Sequence, residues 1–261
     1  MPDLESRCRL GSSAMCGRYA LDVCAMEIAS AFQVGLGSAG PWSASWNIAP
    51  TRLVPVIRLR DGQAKVDLLR WGLVPEWSSD PEGGVGLINA RAETIDVRPS
   101  FRHSYAHARC VVPVRAFYEW QGEGRRRRPL AIRASDDGLV ALAGIWACWK
   151  EEDGGRLETF AIVTKAAGPS LKSIHHRMPV MLNGQDRDRW LDHRGAEDGG
   201  PKPAECRSIL NRAGDGGLRV HPVSNRVGSP ANDDSHLLDE QLPGATDHPT
   251  DQPGLFEPVD D

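Results

Sequence analysis

The alternation of apolar and polar positions predicts a chain built mainly from short β-strands joined by tight turns. Apolar, β-branched runs at 53–59 and 64–69 flank Asp61-Gly62, a pair of residues that favours a two-residue hairpin turn. Further runs at 130–133, 139–149 and 157–164 are separated by turns rich in Asp and Gly. This order of strands and turns is typical of an antiparallel sheet.

Helical periodicity is confined to three short stretches. A helix with Asp22 as its candidate N-cap is predicted to run through about Gln33, and further helices are predicted at 185–191 and 204–211. A last strand is predicted to begin at His221. Residues 1–14 show no periodicity and are interpreted as a disordered leader or a misplaced start. The body is predicted to be a single domain, residues 15–230, and the acidic, Pro- and Gly-rich stretch 231–261 a disordered tail.

Composition narrows the class of protein. A chain of 261 residues with 40% hydrophobic content can bury a full core. It holds no apolar run long enough to span a membrane, and its first residues lack the apolar centre of a secretory signal, so we expect a cytoplasmic protein. Six scattered cysteines without a C-x-x-C pair favour reduced thiols over disulfides or a zinc site, and we expect no metal.

The net charge of −4 conceals a basic body. Nine acidic residues lie after position 227, where there is no Lys or Arg, which leaves 26 acidic against 31 basic residues in the preceding part of the chain. A basic body permits a polyanionic partner, although a solvated basic surface is the alternative.

The first candidate for chemistry is Met15-Cys16-Gly17-Arg18. If the chain starts at Met15, or is cut before Cys16, removal of Met15 leaves Cys16 with a free α-amine beside its thiol. With reference pKa values of about 8 for the amine and about 8.5 for the thiol, both are partly deprotonated near neutral pH. The amine can form an imine with an aldehyde, and the thiol can then close a five-membered thiazolidine. The alternative is an ordinary turn in which Cys16 is a small buried hydrophobe.

Two further segments carry candidate groups. Glu119 lies among the aromatic residues of Phe117-Tyr118-Glu119-Trp120, so we expect a partly desolvated carboxylate with a raised pKa that can move protons near neutral pH. Pairing with an arginine is the alternative. Asn89, Arg91 and Glu93 alternate along an extended segment, where Arg91 could bind phosphate or form a surface salt bridge.

Tryptophans, arginines and histidines supply candidates for nucleic-acid binding. Trp71 and Trp77, beside Gly and Pro, could be core anchors or platforms for unstacked bases. The four arginines of 125–128 could lie near nucleic acid or form a solubilising loop. His175-His176-Arg177 forms a charged loop before a proline-bounded apolar strand.

Eight segments carry a resemblance to a known family, and in chain order they are MCGRYA, WNIAP, RWGLVP, INARAET, RCVVP, FYEW, AGIW and IHHRMPV. Together they resemble the SOS-response-associated peptidase (SRAP) family from Cys16 to about Ser229. The resemblance implies a single α+β domain of strongly curved, mainly antiparallel, barrel-like sheets with short peripheral helices. It also implies a monomer without a cofactor that binds single-stranded DNA in a basic groove. Members of the family capture abasic sites as thiazolidine crosslinks through a mature N-terminal cysteine, and they are thought to remove their own preceding residues.

The resemblance assigns a role to nine residues. Cys16 would be the crosslinking nucleophile, Asn89 would orient the reacting end, Glu119 would be the acid/base and His175 would assist opening of the sugar ring. Phosphates would be held by Arg18, Arg91 and Arg177, and neighbouring bases would contact Trp77 and the Asn47 loop.

This sequence departs from the family pattern in its leader. While residues 1–14 remain attached, the nitrogen of Cys16 is an amide and cannot form an imine. Three explanations are open: a wrongly assigned start, removal of the leader by the protein itself, and removal by another protease. We favour a start at Met15. Two other functions remain open, a cysteine peptidase that uses the Cys16 thiol with His175 as base, and a noncovalent binder of single-stranded or modified DNA.

Overall fold

The structure is a computed structural model that describes residues 16–81, 86–122, 124, 127–151, 154–193 and 200–242. Met15, the leader 1–14 and the end of the chain after Leu242 lie outside the described residues.

The described residues form fourteen strands, four α-helices and two 3-10 helices. The strands are β1 Tyr19–Leu21, β2 Gly35–Leu36, β3 Ser45–Ile48, β4 Leu53–Arg60, β5 Gln63–Trp71, β6 Asn89–Arg91, β7 Arg109–Val114, β8 Ala116–Gln121, β9 Arg128–Ala134, β10 Val140–Lys150, β11 Arg156–Ala166, β12 Arg177–Pro179, β13 Met181–Leu182 and β14 Leu218–Pro222. The α-helices are α1 Ala25–Phe32, α2 Arg102–His107, α3 Gly184–Leu191 and α4 Pro203–Arg212, and the 3-10 helices are Asn225–Gly228 and Ser235–Leu238.

Five strands close into a barrel. Strands β5, β4, β7, β10 and β11 are hydrogen-bonded in this order, and a parallel pairing of β5 with β11 joins the two ends. The other neighbours in the ring are antiparallel. At the closure Trp71 lies opposite Phe160, and their rings stack with centroids 6.4 Å apart. Closure of the ring removes exposed sheet edges. The prediction of a barrel-like, mainly antiparallel α+β fold with short peripheral helices is confirmed.

A second sheet, in the order β14-β9-β8-β1-β3, carries the segment that follows Cys16. Its side chains alternate between two faces, as the pleat of a strand requires. Tyr19 and Leu21 belong to the main core, whereas Ala20 lies in a smaller cluster with Ala116 and Tyr118. This sheet is therefore buried on both faces over β1 and β8.

The predicted hairpin is present, since β4 and β5 pair from Leu53 opposite Arg70 to Arg60 opposite Gln63. Asp61 and Gly62 at its tip have φ of 53° and 75°, the left-handed conformations that a type I′ turn needs.

The first helix begins later than predicted. Cys24, not Asp22, holds the N-cap position, and its backbone N–H donates to the Glu27 carboxylate at 2.8 Å. Asp22 instead accepts from the Arg115 guanidinium at 2.7 Å, a partner that its own neighbourhood in sequence does not reveal. In the described ranges, none of the helices is both long enough and apolar enough to cross a membrane.

The segment predicted to be a disordered tail is folded as far as the structure describes it. Leu237 is fully buried against the second sheet, and Gln241 donates its backbone N–H to Pro222 O at 2.9 Å. The prediction rested on the low apolar content of the segment, but Leu237 and a set of specific hydrogen bonds compensate for it. The correction applies to residues 231–242.

We predict that Leu237→Ala lowers the free energy of unfolding by about 3 kcal/mol, because it removes a buried side chain and leaves a cavity. Urea unfolding measures the change. The control is Leu242→Ala, at a side chain that is 72% exposed, which should have almost no effect. Equal effects of the two substitutions would contradict the packing described for residues 231–242.

Candidate active site

Cys16 lies at the entry to β1, and its nitrogen and thiol are both enclosed by the protein. The residue is buried, and its φ of 35° falls in the left-handed region that cysteine seldom adopts. Its backbone nitrogen donates to Glu119 Oε1 at 2.9 Å. A carboxylate therefore contacts the nitrogen that would become the α-amine of a processed chain.

Glu119 is positioned by the pairing of β8 with β1, where Tyr19 lies opposite Phe117. Only 6% of the residue is exposed. Burial raises the pKa of Glu119 to about 7, and the hydrogen bond from Cys16 and the charge of Arg127 oppose this rise. The raised pKa agrees with the prediction from its aromatic neighbours. Both protonation states are populated near neutral pH, as an acid/base group requires.

The thiol of Cys16 is held in its neutral form. Burial, and then the charge of Glu119, raise its pKa well above the ordinary value. A thiolate at neutral pH would need a partner that removes the proton during the reaction.

His175 lies in the loop before β12. Its Nδ1 lies 3.2 Å from the backbone nitrogen of Arg177 and 3.4 Å from the carbonyl oxygen of the same residue, so it accepts from the first in the Nε2–H tautomer and donates to the second in the Nδ1–H tautomer. Burial, followed by the charges of His176, Arg127 and Arg177, lowers the pKa of His175 below its usual value. The ring is therefore mainly neutral at pH 7, and its protonated nitrogen can act as a proton donor.

The charge of Arg127 acts on both Glu119 and His175. Arg127 is exposed near the tip of the β8–β9 hairpin, and its charge lowers the pKa of both groups. In the same hairpin, Gln121 Nε2 donates to Ser173 O at 3.3 Å, which links the hairpin to the loop of His175. The run of four arginines was a signal for this region, but it did not single out Arg127.

Asn89 is half-buried in β6, which pairs in parallel with β11 at Ile162. The preceding residue, Ile88, accepts through its carbonyl from Trp71 Nε1 at 3.0 Å. The Trp71 ring contacts that of Tyr19 with centroids 5.1 Å apart. Two contacts thus connect the strand of Asn89 to the segment that begins with Cys16.

Two of the three arginines predicted to hold phosphates are engaged inside the protein. Arg18 donates to Asn47 Oδ1 at 2.8 Å and to Val227 O at 2.9 Å. Arg177 is buried and forms two bonds, of 2.7 and 2.9 Å, to the Glu93 carboxylate. In this conformation both guanidinium groups stabilise the fold, and phosphate binding would compete with these bonds. Arg91, in contrast, is exposed.

Of the two residues predicted to lie near bases, Asn47 is buried and Trp77 is exposed. Asn47 is fully buried, and its Nδ2 donates to the carbonyls of Val227, Ser229 and Asn232. The side chain is therefore engaged within the protein, and the base contact of the Asn47 loop stays a prediction. Trp77 is 68% exposed and lines an open cavity of about 450 Å³, so it is free of the core to which Trp71 belongs.

Asp233 was missed because it lies in the segment predicted to be disordered. Its carboxylate accepts from Ser45 Oγ at 2.7 Å and from the backbone of Trp46 at 2.5 Å. An aspartate in a polar stretch carries no signal in the sequence that would reveal these partners.

The geometry defines a class of site: one cysteine presents a nitrogen and a thiol, and a buried carboxylate with a near-neutral pKa contacts the nitrogen. The chain matches the family model of the SOS response associated peptidases (SRAP) over residues 15–230. It belongs to this family.

Related proteins match over nearly their whole length. The chain is 32% identical over 229 residues to the abasic site processing protein YoaM of Bacillus subtilis (strain 168), which covers 87% of this chain and 99% of the relative. It is 28% identical over 232 residues to the abasic site processing protein YedK of Escherichia coli (strain K12), covering 86% and 99%. A crystal structure of a protein from Bacteroides thetaiotaomicron superimposes with a TM-score of 0.74 and 25% identity, covering 87% and 100%.

We predict that Glu119 makes the chain less stable as the pH rises, provided that the residues before Cys16 are still attached. The folded pKa of about 7 exceeds the usual 4.5, so the folded chain retains a proton that the unfolded chain loses. Stability from this group is complete below about pH 4.5 and is lost as the pH rises through 7. At about 1.4 kcal/mol per pKa unit, the loss is about 3 kcal/mol.

Urea unfolding between pH 4.5 and 8 measures this effect in the wild type and in Glu119→Gln. The variant should lack this loss of stability, whereas Glu76→Gln, at an exposed glutamate, should follow the wild type. The same pH dependence in Glu119→Gln and in the wild type would show that Glu119 does not titrate near neutral pH.

Proposed function

We propose that this protein processes abasic sites in DNA by forming a covalent thiazolidine crosslink through Cys16. The observation that carries the proposal is the 2.9 Å hydrogen bond between the Cys16 nitrogen and the Glu119 carboxylate, in a buried site that also holds the thiol. The names of the relatives, as abasic site processing proteins, support the same substrate.

The reaction needs the two nucleophiles of Cys16 and one group that moves protons. The amine adds to the aldehyde carbon of the opened sugar, and the carbonyl oxygen leaves as water to give an imine. The sulfur then adds to the same carbon, and its proton is transferred to the nitrogen, which closes the ring. Glu119, whose carboxylate contacts the Cys16 nitrogen at 2.9 Å, can take a proton from the adding amine and give one to the departing oxygen.

His175 is proposed to open the sugar. An abasic deoxyribose is mostly a closed hemiacetal, and exposing its aldehyde requires a proton on the ring oxygen. In the tautomer whose Nδ1 accepts the backbone N–H of Arg177, Nε2 carries the proton that is proposed for this step. Asn89 would orient the reacting end of the DNA.

Single-stranded DNA is the proposed form of the substrate, with exposed residues as its contacts. Trp77 can stack on a base, and Arg91, Arg102 and Arg127 are exposed cations that can contact phosphates. Arg18 and Arg177 are left out of this set, because their guanidinium groups bind within the protein. We propose that the protein acts as a monomer. We also propose that it acts in the cytoplasm, where cysteines stay reduced, as the described cysteines are.

The working protein must begin at Cys16, because only a primary amine can form the imine. Self-removal of the preceding residues is a second candidate activity. It is favoured by the position of Glu119, which contacts the nitrogen that leaves when the Met15–Cys16 bond is cut. A peptidase that attacks other chains with a Cys16 thiolate has less support, since burial and Glu119 raise the pKa of that thiol.

The central experiment mixes a protein that begins at Cys16 with a single-stranded abasic oligonucleotide and separates the products on a denaturing gel. We expect a shifted band for the wild type and for the control Cys24→Ala, which removes an exposed free thiol. Cys16→Ala and Cys16→Ser both retain the α-amine but lack the thiol, so neither should give a stable band. A band from either variant should require trapping of the imine by borohydride.

A stable crosslink from Cys16→Ala, or from a chain shown by intact mass to retain Met15, would contradict the proposed chemistry. If the wild type bound abasic DNA without forming any covalent band, and Cys16→Ser bound it with the same affinity, the noncovalent binder would be favoured instead.

We predict that Trp77→Ala weakens binding to single-stranded DNA by about tenfold, because stacking of a base on an aromatic side chain contributes about 1–3 kcal/mol. Fluorescence anisotropy with an undamaged oligonucleotide measures this affinity. The control is Leu36→Ala, at a half-exposed apolar side chain on β2, which should bind as the wild type does. Unchanged affinity of Trp77→Ala would exclude Trp77 as a base platform.

A further inference from the structure

The C-terminal strap, residues 225–242, covers the back of the sheet that carries Glu119. Val227 and Leu237 of the strap pack on Ala20, Ala116 and Tyr118. The small side chains of the two alanines allow close approach of the strap to β1 and β8. Glu119 follows Tyr118 in β8, so its side chain points to the opposite face. The strap thus supports from behind the two strands that bring Cys16 and Glu119 together.

Asp233 anchors the strap to β3. Its carboxylate accepts four hydrogen bonds, from Ser45 Oγ at 2.7 Å, Trp46 N at 2.5 Å, Asn47 N at 3.0 Å and Arg52 Nη1 at 3.1 Å. Partial burial raises the pKa of Asp233, but these bonds outweigh it and lower the pKa overall. The group is therefore an ionised acceptor at neutral pH, and hydrogen bonds to an ionised group are the stronger ones.

Asn47 passes this anchorage to the strand of Cys16. Its Nδ2 binds three carbonyls of the strap, and its Oδ1 accepts from Arg18 Nη1 at 2.8 Å. Arg18 is two residues from Cys16, and its own carbonyl accepts from the backbone of Tyr118 at 3.0 Å. Hydrogen bonds therefore run from Asp233 through Asn47 to Arg18. Arg18 is two residues from Cys16 in sequence, and it binds the residue that precedes Glu119 in β8.

We propose that Asp233 is a positioning residue for the covalent step, which holds Cys16 in register with Glu119 through Asn47 and Arg18. The proposal rests on the proposed function. Asp233 touches neither reacting group, and residues 231–242 of the strap lie beyond the 15–230 match to the family. Loosening this chain of bonds displaces the nitrogen and thiol relative to the carboxylate. The expected loss is in the rate of reaction and not in DNA binding, because the strap lies on the opposite face from Glu119.

The test is Asp233→Asn in a protein that begins at Cys16. The rate of crosslinking at saturating abasic oligonucleotide and the Kd for an undamaged oligonucleotide are measured separately. Since a displacement of about 1 Å can cost about a hundredfold in rate, we expect a partial displacement to lower the rate about tenfold. The Kd should stay within about twofold of the wild type, the ordinary effect of a change that leaves binding contacts in place.

The control is Asp239→Asn, which removes an exposed carboxylate of the same strap that binds only His236 among the contacts of the described residues. It should crosslink at the wild-type rate. Ser45→Ala is the second variant, since it removes one of the four bonds to Asp233 without changing a charge. It should slow the reaction in the same direction by a smaller factor, and it decides the question if Asp233→Asn does not fold.

A second readout separates positioning from general destabilisation. The hydrogen bond from Cys16 lowers the pKa of Glu119, so loosening it should move the pH midpoint of the reaction upward in Asp233→Asn. Wild-type rates in both variants, or a loss confined to Kd, would overturn the role of Asp233. Absence of any crosslink from the wild type would instead overturn the proposed function.

Discussion

The hydrogen bond from the Cys16 nitrogen to Glu119 joins two residues 103 positions apart in the chain. It can form only because β1 and β8 are neighbours, with Tyr19 opposite Phe117 and Ala20 opposite Ala116. The same pairing places the Cys16 thiol beside the carboxylate, which helps to keep the thiol neutral. One contact thus fixes the positions of two nucleophilic atoms and the protonation of the groups around them.

Such a site is costly to the folded state. Glu119 is a carboxylate in surroundings that raise its pKa to about 7, and Cys16 has a positive φ of the kind that costs on the order of 1–3 kcal/mol. Both residues keep these conformations because packing on both faces of the sheet holds their strands in place. The closed barrel fixes Trp71 against Tyr19 on one face, and the strap packs on Ala20 and Tyr118 on the other. Strain at a reactive residue held by a rigid sheet is typical of functional sites.

The sequence predicted most of what depends on local patterns. The β4–β5 hairpin followed from alternation and Asp61-Gly62. The raised pKa of Glu119 was expected from the aromatic segment around it, although its cause is burial on the face opposite Tyr118 and Trp120. Contacts between residues that are distant in the chain could not be predicted from local patterns. Arg177 is an exposed-looking cation in sequence, yet it binds Glu93, 84 residues earlier. Asp233 is one acidic residue among many in a polar stretch, and only the fold shows the donors that surround it.

The arginines show why charge alone does not identify a DNA contact. Arg18 and Arg177 have bidentate or multiple partners within the protein, whereas Arg127 is exposed and acts on Glu119 and His175 through its field. Its charge lowers the pKa of both groups. Under the proposed function, a DNA phosphate near Arg127 would offset that charge and raise both pKa values, because an anion favours the protonated forms. Both groups would then be protonated to a larger extent when DNA is bound, and opening the sugar and releasing water each use a proton donor.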